Sequence, residues 1–152
     1  MSRSKLKKFH KLKNMNHMIQ PNRDDLLKNQ FNLKGAWGKK FGNSNPIILE
    51  LGCGKGEYSI GLAELFPQFN YIGIDIKGSR MYTGVEIADA KKLTNVYFLR
   101  TQIEYLDYIF ESNEVSEIWI TFPDPQIKFN RRKKRLVFPR FLEKYKKILK
   151  KG

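Results

Sequence analysis

Residues 46–56 read Pro-Ile-Ile-Leu-Glu-Leu-Gly-Cys-Gly-Lys-Gly, and residues 71–75 read Tyr-Ile-Gly-Ile-Asp. Each stretch is a short apolar run of the kind that forms a strand buried on both faces. The first run ends in a glycine turn and the second run ends in an acid. The first two strands of a nucleotide-binding α/β sheet end in the same way. The pair predicts a parallel sheet with a ligand site at the carboxyl ends of its strands.

The residues around the turn suit a nucleoside ligand. Gly52, Gly54 and Gly56 can adopt positive φ and let the backbone approach a ligand closely. Asp75 lies nineteen positions after Gly56. A carboxylate at the end of the second strand can accept hydrogen bonds from both hydroxyls of a ribose.

The spacing favours S-adenosylmethionine over a dinucleotide as that ligand. The dinucleotide fingerprint needs a third glycine three positions after the second, and Glu57 stands there instead. Glu50, two residues before the turn, would attract the ammonium and the sulfonium of S-adenosylmethionine. A dinucleotide site and a purely structural glycine turn are the alternatives.

Length and composition predict one domain with a real core, since the chain has 152 residues of which 41% are hydrophobic. No stretch is long and apolar enough to cross a bilayer, and the first residues lack the apolar segment of a signal peptide. We therefore expect a cytoplasmic protein without a membrane partner. Cys53 is the single cysteine and has no histidine near it in sequence, so it is not expected to be a nucleophile.

The net charge of +14 is unevenly distributed. Residues 1–40 hold eleven Lys or Arg against two acids, residues 41–127 hold six against twelve, and residues 128–152 hold twelve against one. An acidic centre between two basic ends indicates separate surfaces for a polyanion. RNA or DNA is the expected partner, and a membrane surface is the rival interpretation.

Residues 1–22 form a polar, lysine-rich arm with Leu6, Phe9 and Leu12 at a spacing of three. We expect this arm to be disordered alone and to form a short amphipathic helix on contact with a partner. His10 and His17 fall in the arm without a cluster of cysteines or carboxylates, so both are expected to be solvated and no metal site is predicted.

Strands and helices then alternate along the chain, which predicts right-handed crossovers and a parallel sheet. Before the first strand, three aromatic residues are expected to cover the sheet edge, namely Phe31, Trp37 and Phe41. The predicted strands lie near 46–51, 71–75, 96–101 and 117–122, and the predicted helices near 57–66, 79–92, 104–110 and 141–151.

The last predicted strand runs into Thr121-Phe122-Pro123-Asp124-Pro125. The two prolines hold Asp124 in an extended loop at the edge of the sheet where a ligand is expected. Asp124 is therefore a candidate to face the substrate or the cofactor, although an ordinary turn is the simpler interpretation. Six cations within the next eleven residues are candidates to hold phosphates: Lys128, Arg131, Arg132, Lys133, Lys134 and Arg135.

Residues 49–56 and 71–75, together with Phe122-Pro123-Asp124-Pro125 and its basic run, resemble the bacterial tRNA (guanine-N7-)-methyltransferase family. The resemblance extends from Pro46 to Gly152. It implies a Rossmann-like class I methyltransferase sheet with helices on both faces. It also implies methyl transfer from S-adenosylmethionine to N7 of a guanine in the variable loop of tRNA.

The resemblance assigns roles to individual residues. Glu50, Asp75 and Asp124 would contact S-adenosylmethionine or the active site, with Asp124 as the catalytic residue, and Lys128 would bind substrate. Gln102 stands where the family has an aspartate or asparagine and can still hydrogen-bond the adenine amine. Beside these roles, the basic run itself makes Arg131, Arg132, Lys133 and Arg135 candidates to contact the substrate through its phosphates.

The family continues beyond the position where this chain reaches Gly152. Four strands are readable here where the family has seven, so the resemblance implies that the C-terminal strands are missing from this chain. The fourth strand would then be an exposed edge. We expect a basic arm and lead-in over 1–40 and an incomplete methyltransferase domain over 41–152. A non-catalytic RNA-binding module with a residual nucleotide pocket, or another RNA methyltransferase, is the alternative function.

Overall fold

The structure is a computed structural model that describes residues 2–121, 131 and 135–151. The helices in chain order are α1 (Arg3–Leu12), α2 (Arg23–Leu27), α3 (Trp37–Phe41), α4 (Glu57–Leu65), α5 (Gly78–Lys91), α6 (Leu106–Ile109) and α7 (Pro139–Ile148). The strands are β1 (Met18–Ile19), β2 (Ile47–Leu51), β3 (Asn70–Asp75), β4 (Val96–Arg100) and β5 (Glu117–Ile120). A turn of 3-10 helix, Ile103–Tyr105, leads into α6.

The strands form one parallel sheet in the order β1-β4-β3-β2-β5. The parallel pairing confirms the predicted parallel sheet, in which the chain steps from β2 to β3 to β4 in one direction and then returns to the far side of β2. The strand order also confirms that β5 is an edge strand. The prediction of four strands was one short, since the short β1 pairs with β4 at the opposite edge.

Both faces of the sheet are covered by helices. Alternate residues of β2 point to opposite faces, so Leu49 and Leu51 join one buried cluster and Ile48 joins the other. The first cluster includes side chains of α2, α3, α6 and α7, and the second includes side chains of α1, α4 and α5. This arrangement confirms the α/β fold predicted from the sequence.

The N-terminal arm is folded, so the expectation of disorder was wrong. Helix α1 packs against α5, and Leu12 and Met18 are buried in the second cluster. Burial of these two side chains offsets the entropy of ordering the arm. Leu6 stays 46% exposed, whereas Leu12 of the same expected apolar stripe is buried.

One further expectation for the lead-in was also wrong. His17 is not solvated, because its ring nitrogens are paired with the Asp89 carboxylate and the Leu93 carbonyl. Trp37 is fully buried, stacks on Phe110 and donates a hydrogen bond of 3.0 Å to the Ile109 carbonyl. In the described part of the chain, no helix is long and apolar enough to span a membrane.

Candidate functional site

The glycine turn after β2 has the backbone that the sequence predicted. Gly52, Gly54 and Gly56 have φ values of 70°, 56° and 78°, a region that favours glycine. At Gly56 a Cβ atom would lie 2.4 Å from the Phe98 ring, so a side chain would also collide with β4. The turn is therefore held close to the sheet, with Gly52 exposed to the cavity described below.

Asp75 ends β3 and fixes the turn to the start of α5. Its carboxylate accepts hydrogen bonds from the backbone N–H of Gly54 at 2.9 Å, of Ile76 at 2.7 Å and of Lys77 at 3.1 Å. Two carboxylate oxygens offer about four lone-pair sites, so capacity is left for one more donor. Asp75 can hold the loop and accept a hydrogen bond from a ligand at the same time.

Glu50 is buried in the strand beside the turn, with 6% of its surface exposed. Its Oε2 atom has no hydrogen-bond partner among the described residues. Burial raises the pKa of this carboxyl group to about 7. A buried acid in this state either keeps a proton or needs a cationic partner.

Cys53 lies between the two acids and is buried. Burial, and then the charges of Asp75 and Glu50, raise the pKa of its thiol well above the usual range. The thiolate is the nucleophilic form, so this environment suits the expected absence of a nucleophilic role.

A cavity of about 530 Å3 opens at the carboxyl ends of β2, β3 and β4. This is the edge of an open α/β sheet where ligands bind. Gly52, Asp75 and Gln102 of the predicted site line it. The remaining lining residues are Ile74, Ile76, Lys77, Arg80, Thr101, Ile103, Glu104, Leu136, Arg140 and Phe141.

Other predicted site residues have different positions. Gly54 and Gly56 belong to the turn but not to the cavity wall, and Arg131 and Arg135 are described but do not line it either. The predictions for Asp124, Lys128, Arg132, Lys133 and Lys134 lie outside the described residues. No group of three or more His, Cys, Asp or Glu side chains in the described part could hold a metal ion.

Several cavity residues were missed from the sequence. Lys77 and Arg80 follow Asp75 closely, at the start of the helix after the second predicted strand. That position could have predicted that they lie beside the ligand site. The sequence around Arg140 and Phe141 on α7 does not indicate a place at the cavity. These residues reach it only because the folded chain brings α7 back to this edge of the sheet.

Comparisons with known proteins show which family the chain resembles. Residues 44–152 match the family described as putative methyltransferase. The tRNA (guanine-N(7)-)-methyltransferase of Christiangramia forsetii is 53% identical over 150 residues, which are 98% of this chain and 67% of that protein. The protein of the same name from Bacteroides thetaiotaomicron is 46% identical over 151 residues, 99% of this chain and 59% of that protein.

A solved structure is similar in fold. The 16S rRNA (adenine(1408)-N(1))-methyltransferase of Catenulisporales acidiphilia, solved with its cosubstrate SAM, superposes with a TM-score of 0.60 at 21% identity, over 78% of this chain and 58% of that chain. This likeness supports the sheet topology.

The chain spans 59% to 67% of the length of the two relatives named above. The family match, over residues 44–152, covers the segment that holds the glycine turn, Glu50, Asp75 and the basic run. The chain belongs to the tRNA (guanine-N7-)-methyltransferase family.

Proposed function

We propose that the protein transfers a methyl group from S-adenosylmethionine to N7 of a guanine in the variable loop of tRNA. One observation carries the proposal. The cavity at the carboxyl edge of the sheet is lined by Gly52 of the glycine turn and by Asp75. Glu50 does not line it, but lies buried two residues before the turn with an oxygen that has no hydrogen-bond partner among the described residues. The 53% identity to the tRNA (guanine-N(7)-)-methyltransferase of Christiangramia forsetii supports the same function.

The residues around the cavity fit S-adenosylmethionine. Its ammonium and sulfonium are cations, and the buried Glu50 carboxyl group beside the turn has an oxygen without a hydrogen-bond partner among the described residues, which a cation could pair with. Asp75 retains capacity for a ribose hydroxyl, and Gln102 at the cavity wall can accept a hydrogen bond from an adenine amine. Gly52 of the turn lines the cavity, and without a side chain it lets a ligand approach the backbone there.

When bound, S-adenosylmethionine supplies a methyl group activated by the sulfonium. Guanine N7 carries a lone pair and no proton at neutral pH, so this chain needs no general base before the attack. As the bond from N7 to the methyl carbon forms, the bond from that carbon to sulfur breaks and the positive charge moves to the guanine. The task of the side chains is to align the three atoms, which is catalysis by positioning.

Asp124 is proposed as the residue that faces the guanine. Its carboxylate would accept hydrogen bonds from N1 and N2 of the base and stabilise the charge that grows on the ring. The proposal rests on the sequence, in which two prolines flank this acid directly before the basic run.

The basic ends of the chain are proposed to hold tRNA by its phosphates. Lys128, Arg131, Arg132, Lys133 and Arg135 follow Asp124 in sequence, and the exposed lysines of α1 add a second basic surface. A protein that modifies tRNA in this way would work in the cytoplasm.

A transfer assay tests the proposal. The chain is incubated with unmodified tRNA and donor labelled in its methyl group, alongside a version extended by the part of the Christiangramia forsetii relative that this chain does not cover. We expect label at guanine N7 with the extended version. We expect Asp124→Ala to lower single-turnover transfer about a hundredfold while tRNA affinity in filter binding changes little.

The same assay separates the other functions. Binding of tRNA and S-adenosylmethionine without transfer by either version would indicate an RNA-binding module with a residual pocket. Label at another atom would indicate a different RNA methyltransferase, and binding of NAD in place of S-adenosylmethionine would indicate an oxidoreductase.

A further inference from the structure

Three cationic side chains line the cavity, and their partners differ. Arg140 approaches Glu104 at 3.7 Å and lies over the Phe141 ring at 4.3 Å from its centre. Arg80, by contrast, makes no hydrogen bond or ion pair with any residue that the structure describes. The Lys77 ammonium likewise has none within the described ranges.

The position of Arg80 is specific. Its guanidinium lies over the glycine turn, 3.3 Å from the point that a Cβ atom of Gly54 would occupy. Neither Lys77 nor Arg140 comes within 4 Å of that point. The charge of Arg80 also acts on the Cys53 thiol, as do the charges of Asp75 and Glu50, so one cation and two acids surround the same turn.

These charges match a ligand that carries both signs. The methionine part of S-adenosylmethionine has two cationic groups and one carboxylate. Glu50 and Asp75 suit the cations and the ribose hydroxyls, but both acids repel the carboxylate. The planar guanidinium of Arg80 is the donor that can pair with two carboxylate oxygens at once.

We propose that Arg80 binds the carboxylate of the methionine part of S-adenosylmethionine, with its guanidinium held over Gly54. The inference rests on the proposed function, because it assumes this ligand. It adds a binding residue at the site and predicts that Arg80 distinguishes the donor from forms of the donor that lack the carboxylate.

Calorimetric titration with two ligands tests the inference. S-adenosylmethionine and its decarboxylated form both carry the sulfonium and an amine, and they differ only in the carboxylate. We expect Arg80→Met to weaken binding of S-adenosylmethionine about tenfold to a hundredfold and to leave binding of the decarboxylated form unchanged. Arg80→Lys, which keeps the charge but loses the planar fork, should fall between the wild type and Arg80→Met.

Two matched variants serve as controls. Lys77→Met removes the other unpartnered cavity cation, and Lys55→Met removes an exposed cation of the turn that does not line the cavity. Neither should distinguish the two ligands. Arg80 is exposed, so its variants should unfold at the wild-type temperature by circular dichroism.

Three outcomes would overturn the inference. Arg80→Met could weaken the binding of both ligands equally, or it could weaken the binding of neither. Alternatively, Lys77→Met could be the variant that selectively loses binding of S-adenosylmethionine. If the wild-type chain binds neither ligand, the proposed cofactor is wrong and the inference falls with it. That result is distinct from a wild-type chain that binds both and an Arg80 variant that does not discriminate.

Discussion

At the scale of single residues, the two acids of the site differ in how they are stabilised. Asp75 accepts three backbone hydrogen bonds, which fix its carboxylate in place before any ligand arrives. Glu50 has a buried oxygen without a hydrogen-bond partner among the described residues, and burial raises the pKa of its carboxyl group to about 7. A buried acid without a partner lowers the stability of the ligand-free protein at neutral pH, and a bound cation would remove that cost.

Glu50→Gln should therefore make stability less dependent on pH. The native state of the wild type keeps a proton on Glu50 that the unfolded chain releases above a pKa of 4.5, so the free energy of unfolding falls as pH rises from 4.5 to about 7. The expected loss is up to about 3 kcal/mol. Urea denaturation between about pH 5 and pH 8 measures it.

The variant with a neutral amide should lack this loss, while Glu57→Gln, at an exposed position of α4, should keep the wild-type slope. The same slope in wild type and Glu50→Gln would show that Glu50 is not the group responsible. We also expect Glu50→Gln to bind S-adenosylmethionine more weakly, so that stability and binding change in opposite directions.

At the scale of elements, local sequence predicted the central strands to within about two residues, because their apolar runs and glycine or proline boundaries are local signals. It did not predict the folded arm or the burial of Trp37. Both depend on surfaces that form only after distant segments meet, such as the contact of α1 with α5 and of Trp37 with Phe110. Propensity and periodicity do not contain that information.

His17 connects the N-terminal arm to the sheet through side-chain and backbone hydrogen bonds. Its replacement should therefore weaken the pairing of β1 with β4. The ring is paired with Asp89 and with the Leu93 carbonyl, and the His17 carbonyl accepts a 2.7 Å hydrogen bond from the Phe98 N–H in β4. His17→Ala should lower the free energy of unfolding by about 1 to 3 kcal/mol, because it removes the ring contacts to the Asp89 carboxylate and to the Leu93 carbonyl. Denaturant unfolding and amide hydrogen exchange of Phe98 would measure the effect.

His10→Ala is the matched control, since His10 is exposed on α1 and should change neither quantity. Equal exchange rates at Phe98 in the His17 and His10 variants would mean that β1 is held by the packing of Leu12 and Met18 alone.

At the scale of the whole molecule, charge and topology act together. The acidic centre of the sequence supplies the sheet edge and most of the cavity, while the two basic ends supply α1 and α7. These helices pack on opposite faces of the sheet, so the two basic surfaces lie on different sides of the molecule. The sequence predicted the charge map, but the faces on which the basic helices lie required the fold.

The salt dependence of tRNA binding tests whether the basic run holds phosphates. Each phosphate contact that is lost should lower the slope of log affinity against log salt by about one unit, whatever the tRNA. Arg131→Gln combined with Arg135→Gln should therefore reduce the slope by about one to two units in filter-binding titrations. Lys91→Gln combined with Lys92→Gln removes the same charge at the exposed end of α5 and should leave the slope unchanged. If both pairs lower the slope equally, tRNA responds to net charge alone, and the segment after Asp124 has no special part in holding it.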